Sequence, residues 1–157
     1  ATPGVLVGTQ AAESALARHL SRMFITAASL TVPMVTIVLR KAYGLGAMAM
    51  AGGSFHAPAA SLSWPTGEFG GMGLEGAVRL AYRADLAAAT EGAERDTLFR
   101  KLVDQMYQKG KALNVASTLE IDDVIDPADT RDRVTSVLRA SAGAGRPAST
   151  RSRIDTW

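Results

Sequence analysis

Cysteine is absent from this 157-residue chain, and histidine occurs only twice. The missing thiols exclude disulfide bonds, thiolate metal sites and a cysteine nucleophile. His19 and His56 do not lie at the spacing of a histidine metal motif, and the chain has no Gly-x-Ser-x-Gly motif. We interpret both histidines as structural residues, and the sequence predicts neither a metal centre nor a serine hydrolase.

Long apolar runs and a strong charge of one sign are also missing. No stretch reaches the roughly 18 uninterrupted apolar residues of a membrane span, and the N-terminus has no signal-peptide pattern. The formal net charge is +2. The basic excess gathers near the C-terminus, at Arg146, Arg151 and Arg153, without interleaved aromatic residues. We therefore expect a cytoplasmic protein that binds neither a membrane nor a nucleic acid.

The residues that are present give a globular composition. Hydrophobic residues make up 47% of the chain and charged residues 20%, which at this length predicts one domain with one core. We place that domain at residues 1–142 and predict a flexible tail at residues 143–157. The chain opens on the turn signal Ala1-Thr-Pro-Gly4 rather than on methionine, and we expect that it begins within a domain.

Apolar periodicity predicts helices that alternate with short strands. We expect helices at residues 11–30, 43–52, 75–83, 93–113 and 131–140, strands at 35–39 and within 56–64, and a short strand or extended turn at 121–125. Glu75 and Arg79 have the spacing of an ion pair on one helix, and Asp126 stands where it can cap the last helix. Strands that alternate with helices in this way predict an α/β domain with βα crossovers.

The segment 40–53 carries the most informative motif of the chain. It follows the β-branched strand 35–39 and passes through Tyr43-Gly-Leu-Gly46 into a helix rich in alanine and methionine. The first N–H groups of a helix have no intrahelical acceptor and can stabilise a developing oxyanion. A tight turn built from small residues for packing is the alternative interpretation.

Side-chain catalysts are not evident elsewhere in the sequence. Asp122, Asp123, Asp126 and Asp129 lie in the context of a surface turn and a helix cap. Residues 67–76 are rich in glycine but lack the Gly-Lys-Ser/Thr ending of a phosphate-binding loop. The remaining hypothesis is a backbone oxyanion site without a side-chain acid, base or nucleophile.

Several short motifs occur in the order and spacing of one protein family. They are Thr2–Gly4, Ala17–Arg22, Leu30–Pro33, Arg40–Ala47, Ser63–Thr66, Met72–Val78 and Ile121–Ile125. Together they resemble the C-terminal half of the carboxyltransferase (β) subunit of biotin-dependent acyl-CoA carboxylases, such as the acetyl-, propionyl- and methylcrotonyl-CoA carboxylases. The resemblance runs from residue 1 to about residue 140. It implies a fold of the ClpP/crotonase type, a ββα superhelix.

The resemblance also implies a reaction and a site. The reaction, part of fatty acid metabolism, transfers a carboxyl group from carboxybiotin to the α-carbon of an acyl-CoA. Biotin on a carrier protein would be the cofactor, with no metal in this domain. By position in the motif, the backbone N–H groups of Leu45 and Gly46 would be the oxyanion donors. The residues that contact biotin or substrate would be Tyr43, Gly44, Ala47 and Met48.

The implied partners are an acyl-CoA, a biotin carboxyl carrier with its biotin carboxylase, and the N-terminal half of the carboxyltransferase. Further copies of the subunit would complete an oligomer, commonly a hexamer. Without the N-terminal half the chain would be inactive, because that half binds the acyl-CoA. The motifs leave open which acyl-CoA is used. A biotin-dependent decarboxylase that works in the opposite direction and a non-catalytic scaffold of the same fold are the alternatives.

Overall fold

A computed structural model describes residues 1–143, so the tail predicted at 143–157 lies outside the described residues except for Gly143. The elements follow one another in the order α1 (Thr9–Glu13), α2 (Leu16–Ala28), β1 (Val35–Val38), β2 (Lys41–Tyr43), α3 (Gly44–Met50), β3 (Ala60–Ser63), β4 (Glu68–Gly70), α4 (Leu74–Ala81), α5 (Arg83–Ala88), α6 (Ala93–Lys109), α7 (Ala112–Ser117), β5 (Asp123–Val124), a 3₁₀ turn (Pro127–Asp129) and α8 (Thr130–Ser141). Within this part of the chain, no helix is both long and apolar enough to cross a membrane.

The strands form two separate parallel sheets. One sheet has the order β1-β3-β5, and the other pairs β2 with β4. Each strand pair is followed by a helix, first β1-β2-α3 and then β3-β4-α4, and each unit gives one strand to each sheet. Parallel pairing requires crossover connections, so the predicted α/β class is confirmed, and the repeating unit is ββα.

The two short strands of the smaller sheet were not predicted from the sequence. Lys41 pairs with Glu68, and Tyr43 with Gly70. Three residues are too few to show the alternation by which a strand is recognised. Thr2 extends this sheet, since its N–H donates to the Lys41 carbonyl at 2.5 Å and its carbonyl accepts from the Tyr43 N–H at 3.0 Å.

Three predicted helices are each divided in two. The helix expected at 11–30 breaks at Ala15, whose φ of 55° is left-handed and stops a regular helix. The helix expected at 75–83 breaks at Tyr82, between α4 and α5. The helix expected at 93–113 ends at Lys109, and α7 starts at Ala112 after Lys111, which has an extended backbone. Leu113, which periodicity placed on the apolar stripe, is consequently 68% exposed.

The third break has a clear cause in backbone hydrogen bonding. The Phe69 N–H donates to the Gly110 carbonyl at 2.8 Å, and the Ala112 N–H donates to the Gly67 carbonyl at 3.1 Å. The helix ends at Gly110 because the Gly110 carbonyl and the Ala112 N–H form hydrogen bonds with Phe69 of β4 and with Gly67 just before it. This pairing fixes α7 beside the smaller sheet.

The core lies between the two sheets and the helices α3 and α7. One cluster of buried side chains consists of Val38, Ala42, Ala47, Phe69, Ala112 and Ile121. A second cluster, under α8, consists of Ala60, Leu62 and Ile125. Among residues 1–143 the ion pair predicted between Glu75 and Arg79 does not form, and the Arg79 guanidinium lies 4.8 Å from the ring centroid of Phe99.

The cap predicted for the last helix lies on the 3₁₀ turn before it: Asp129, the N-cap of α8, makes no side-chain cap bond, whereas Asp126 does. Asp126 Oδ1 accepts a hydrogen bond from the Ala128 N–H at 2.8 Å and starts the 3₁₀ turn that leads into α8. We expect Asp126→Ala to lower the free energy of unfolding by about 1 kcal/mol, because this N–H loses its acceptor. Urea unfolding measures the change. Asp129→Ala is the matched control, since Asp129 makes no side-chain cap bond; equal losses in the two variants would contradict the assignment.

Candidate functional site: a glycine turn beside an apolar cleft

The turn from β2 into α3 is built on a left-handed glycine. Tyr43 ends the strand, and Gly44 begins the helix with a φ of +59°, a conformation that glycine adopts without strain. A Cβ atom on Gly44 would lie 2.7 Å from the Gly71 carbonyl oxygen. The turn therefore packs directly against the glycine loop that follows β4, and only glycine fits at this position.

The N–H groups of Leu45 and Gly46 follow in the first turn of α3. The first N–H groups of an α-helix have no intrahelical acceptor. Among residues 1–143, no hydrogen bond outside the helices and strands uses either group as a donor. Leu45 is 59% exposed, whereas Gly46 is buried beneath Thr2 and Gly4. Both predicted donors therefore have an N–H group without a backbone acceptor; Leu45 is an exposed residue, and Gly46 is a buried one.

A cleft of about 690 Å³ opens beside this turn. Its walls come from α3, from the loop after β4 and from α7, and its floor holds Phe55 and Phe69, whose rings meet edge to face at 5.5 Å. The lining residues include Gly44, Leu45, Met48, Gly70, Gly71, Asn114, Val115 and Thr118. The surface is mainly apolar with a few polar groups, as ligand sites commonly are.

The structure separates the residues that the motif groups together. Gly44, Leu45 and Met48 line the cleft. Ala47 is buried in the core cluster, and the side chain of Tyr43 is only 4% exposed and lines a different hollow. The assignment of Tyr43 and Ala47 as ligand contacts therefore stays a prediction, and their side chains have other neighbours.

The Tyr43 side chain enters a polar network that the sequence did not indicate. Its hydroxyl donates to Glu68 Oε2 at 2.9 Å, and Arg40 Nε donates to Glu68 Oε1 at 3.2 Å. Burial, followed by the hydrogen bond to Glu68, raises the pKa of Tyr43 well above its ordinary value. The phenol is therefore a protonated donor at neutral pH. Finding Glu68 required the pairing of β2 with β4, which brings residues distant in sequence together.

The aspartates near β5 have structural partners, in agreement with the sequence interpretation. Asp122 Oδ2 accepts from the Ser61 N–H at 2.7 Å, and Asp123 Oδ2 lies 3.5 Å from Arg133 Nη2. In the described part of the chain, no three histidine, aspartate or glutamate side chains are grouped as metal ligands. The cleft therefore offers a ligand backbone amides and apolar side chains, with the charged residues Lys109 and Glu120 also in its lining.

Comparison with known proteins identifies the class. The model of the carboxyl transferase domain family matches residues 1–154, so the chain belongs to this family. The larger proteins it resembles are carboxyltransferases that act on acyl-CoA compounds. It is 36% identical over 141 residues to the methylmalonyl-CoA carboxyltransferase 12S subunit of Propionibacterium freudenreichii, covering 89% of this chain and 26% of the relative. It is 33% identical over 141 residues to the methylmalonyl-CoA decarboxylase subunit alpha of Propionigenium modestum, covering 90% of this chain and 27% of the relative.

Solved structures agree. A single-chain, multi-domain long-chain acyl-CoA carboxylase matches with a TM-score of 0.76 and 57% identity, over 87% of this chain and 13% of that one. The hexameric transcarboxylase 12S matches with a TM-score of 0.83 and 32% identity, over 98% of this chain and 29% of that one. The family and the crotonase-like fold expected from the motifs are confirmed. The chain spans about a quarter of the length of the curated relatives it matches.

Proposed function

We propose that this chain is the biotin-side part of the carboxyltransferase of a biotin-dependent acyl-CoA carboxylase. The observation that carries the proposal is the Arg40–Ala47 motif, which forms a turn with unpaired N–H groups at Leu45 and Gly46, and of these two residues Leu45 lines the apolar cleft. Membership of the carboxyl transferase family supports it. In the whole enzyme, a carboxyl group is transferred from carboxybiotin to the α-carbon of an acyl-CoA.

The cleft fits the ring system of biotin in size and in chemistry. Its volume of about 690 Å³ is within the range of small-molecule sites, and the Phe55–Phe69 floor suits an apolar ring. Biotin supplies the carboxyl group and the nitrogen that acts as base. The backbone N–H groups of Leu45 and Gly46 would hold the ureido oxygen of bound biotin, and the side chains of Leu45 and Met48 would exclude water from it. One such donor contributes roughly 3–4 kcal/mol to the transition state.

The proposed partners follow from the missing parts of this machinery. An acyl-CoA half of the carboxyltransferase, a biotin carboxyl carrier and a biotin carboxylase are required, and the assembly is a hexamer like that of the transcarboxylase 12S. We place the enzyme in the cytoplasm and in fatty acid metabolism. Because this chain is 57% identical to part of a long-chain acyl-CoA carboxylase, a long-chain acyl-CoA is the first substrate to test.

Reconstitution tests the proposal. This chain, alone and joined to an N-terminal carboxyltransferase half, is combined with a biotin carboxylase and carrier, and the fixation of labelled bicarbonate onto acyl-CoAs of increasing chain length is measured. We expect no product from the chain alone and carboxylated long-chain acyl-CoA from the joined protein. Absence of product with every acyl-CoA would contradict the proposed function.

The decarboxylase is a second candidate, because the relative from Propionigenium modestum is a methylmalonyl-CoA decarboxylase subunit. The same assembly is supplied with a carboxylated acyl-CoA and biotin, and release of CO2 is compared with its fixation. Release without fixation would favour the decarboxylase. Failure to bind biotin, measured by calorimetry on the joined protein, would favour a non-catalytic scaffold.

A further inference from the structure

Tyr43, the residue before the glycine turn, has its side chain on the face of the smaller sheet that points away from the cleft. Successive side chains of a strand point to opposite faces. Ala42 faces the cleft, whereas Lys41 and Tyr43 line a second hollow of about 510 Å³ on the other face. The phenol of Tyr43 therefore cannot contact a ligand in the cleft, and its effect on the cleft must pass through the backbone.

Glu68 also lines this second hollow, and there it binds the side chain of Tyr43. Its carboxylate accepts from the Tyr43 hydroxyl at 2.9 Å and from Arg40 Nε at 3.2 Å, and its side chain is only 12% exposed. A carboxylate that is largely removed from water is costly unless charged or strong donors satisfy it. With both oxygens bound, Glu68 ties the two strands of the smaller sheet together through side chains as well as through backbone pairing.

Each of these strands leads directly into a wall of the cleft. Tyr43 is followed by Gly44 and Leu45, and β4 is followed by Gly71. The two walls touch where Gly44 packs on the Gly71 carbonyl. A shift of one strand along the other would therefore change the width of the cleft at the turn.

We propose that Glu68 and Tyr43 are positioning residues for carboxyl transfer: their hydrogen bond fixes the turn at Gly44–Leu45 against the Gly71 loop, and with it the direction of the Leu45 N–H. This inference rests on the proposed function. It assigns a role to Glu68, which lies outside the turn motif, and it replaces ligand contact by Tyr43 with an action through the backbone. Arg40 orients the carboxylate by occupying its second oxygen.

Positioning and plain stabilisation predict different kinetics. A bond that only stabilises the fold lowers the melting temperature and leaves kcat unchanged. A bond that aims a donor used in the transition state lowers kcat, and leaves the KM for acyl-CoA unchanged because that substrate binds on the other half. Small displacements of this kind cost about 10- to 100-fold in rate.

The experiment compares Tyr43→Phe, Glu68→Ala and Glu68→Gln in the joined, reconstituted enzyme. We expect kcat to fall about 10- to 100-fold in Tyr43→Phe and Glu68→Ala with KM for acyl-CoA within twofold of the parent. Glu68→Gln keeps an oxygen that accepts from the phenol, so it should recover much of the loss. The double variant Tyr43→Phe/Glu68→Ala should be no slower than the worse single variant, because both remove one bond.

Glu91→Gln is the matched control. It removes an ion pair with the same N–O distance of 3.2 Å, between Arg95 and the exposed Glu91, and neither residue lines the cleft. Its kcat should equal that of the parent. Circular dichroism verifies folding, and if Glu68→Ala fails to fold, Tyr43→Phe and Glu68→Gln still decide.

The outcomes separate the two proposals. An active parent with unchanged kcat in Tyr43→Phe and Glu68→Ala overturns the positioning role, even if the melting temperature falls. A raised KM for acyl-CoA with unchanged kcat also overturns it. A parent that transfers no carboxyl group to any acyl-CoA overturns the proposed function, and the positioning role with it.

Discussion

Gly46→Val is expected to lower the carboxyl-transfer rate of the reconstituted enzyme by about 10²- to 10³-fold. A Cβ atom at this position would lie 3.0 Å from Thr2 Cγ2 and 3.3 Å from the Gly4 carbonyl carbon. Valine adds two methyl groups in the same space. Either the N-terminal segment or the first turn of α3 must move, and Thr2 is held to β2 by two backbone hydrogen bonds. We therefore expect the turn, with its N–H groups, to be displaced.

The measurement is kcat together with the melting temperature of the same variant. Gly76→Val is the control, because a Cβ on Gly76 meets only the end of the Met72 side chain, at 3.5 Å. Parent turnover in Gly46→Val would remove Gly46 from the site. An unfolded Gly46→Val protein, with full turnover in Gly46→Ala, would instead support the interpretation of this segment as a packing turn.

Gly110→Ala should cause the largest loss of stability of any glycine-to-alanine change among residues 1–143. A Cβ on Gly110 would overlap the carbonyl oxygen of Phe69, and β4 is held in place around Phe69 by its pairing with β2 and by the bond of the Phe69 N–H to the Gly110 carbonyl. Overpacking typically costs about 1–3 kcal/mol of stability. Because the added Cβ overlaps a backbone atom, we expect the free energy of unfolding to fall by about 3 kcal/mol, the upper end of this range.

Urea unfolding tests this value, with Gly71→Ala as the control. A Cβ on Gly71 meets no atom within 4 Å. The free energy of unfolding of that variant should therefore lie within about 0.5 kcal/mol of the parent value, as is usual for substitutions that meet no neighbour. A Gly110→Ala protein as stable as the Gly71→Ala protein would show that the junction of α6 and α7 is free to rearrange.

The glycine turn was predictable because its signals are local. An apolar β-branched strand, a glycine pair and an alanine-rich helix follow one another within some twenty residues, and the structure has β1, Gly44 and α3 in these places. The motif's order also placed Leu45 and Met48 beside the cleft. Local periodicity and the identity of glycine were enough to predict the turn, whereas Leu45 and Met48 were assigned to the site from the family resemblance.

The parts that escaped prediction depend on contacts distant in sequence. Glu68 acquires its role only when β4 pairs with β2, and strands of three residues give no period. Tyr43 and Ala47 were assigned to the ligand from their position in the family motif, and that assignment stays a prediction. Strand alternation turns Tyr43 to the opposite face, and the helix turns Ala47 into the core. The order of residues in a motif does not show which way each side chain points where the secondary structure changes within two residues.

The parallel pairing of β3 with β5 also sets the order of events during folding. Leu62 pairs with Asp123, about sixty residues later in the chain, and closing a loop of that length must precede the contacts that stabilise it. During synthesis, the edge of β3 that later pairs with β5 therefore stays unpaired until the ribosome has made the segment from α4 to α7. An unpaired edge of this kind invites strands from other chains. Slower translation or a lower temperature during expression should therefore raise the yield of folded protein.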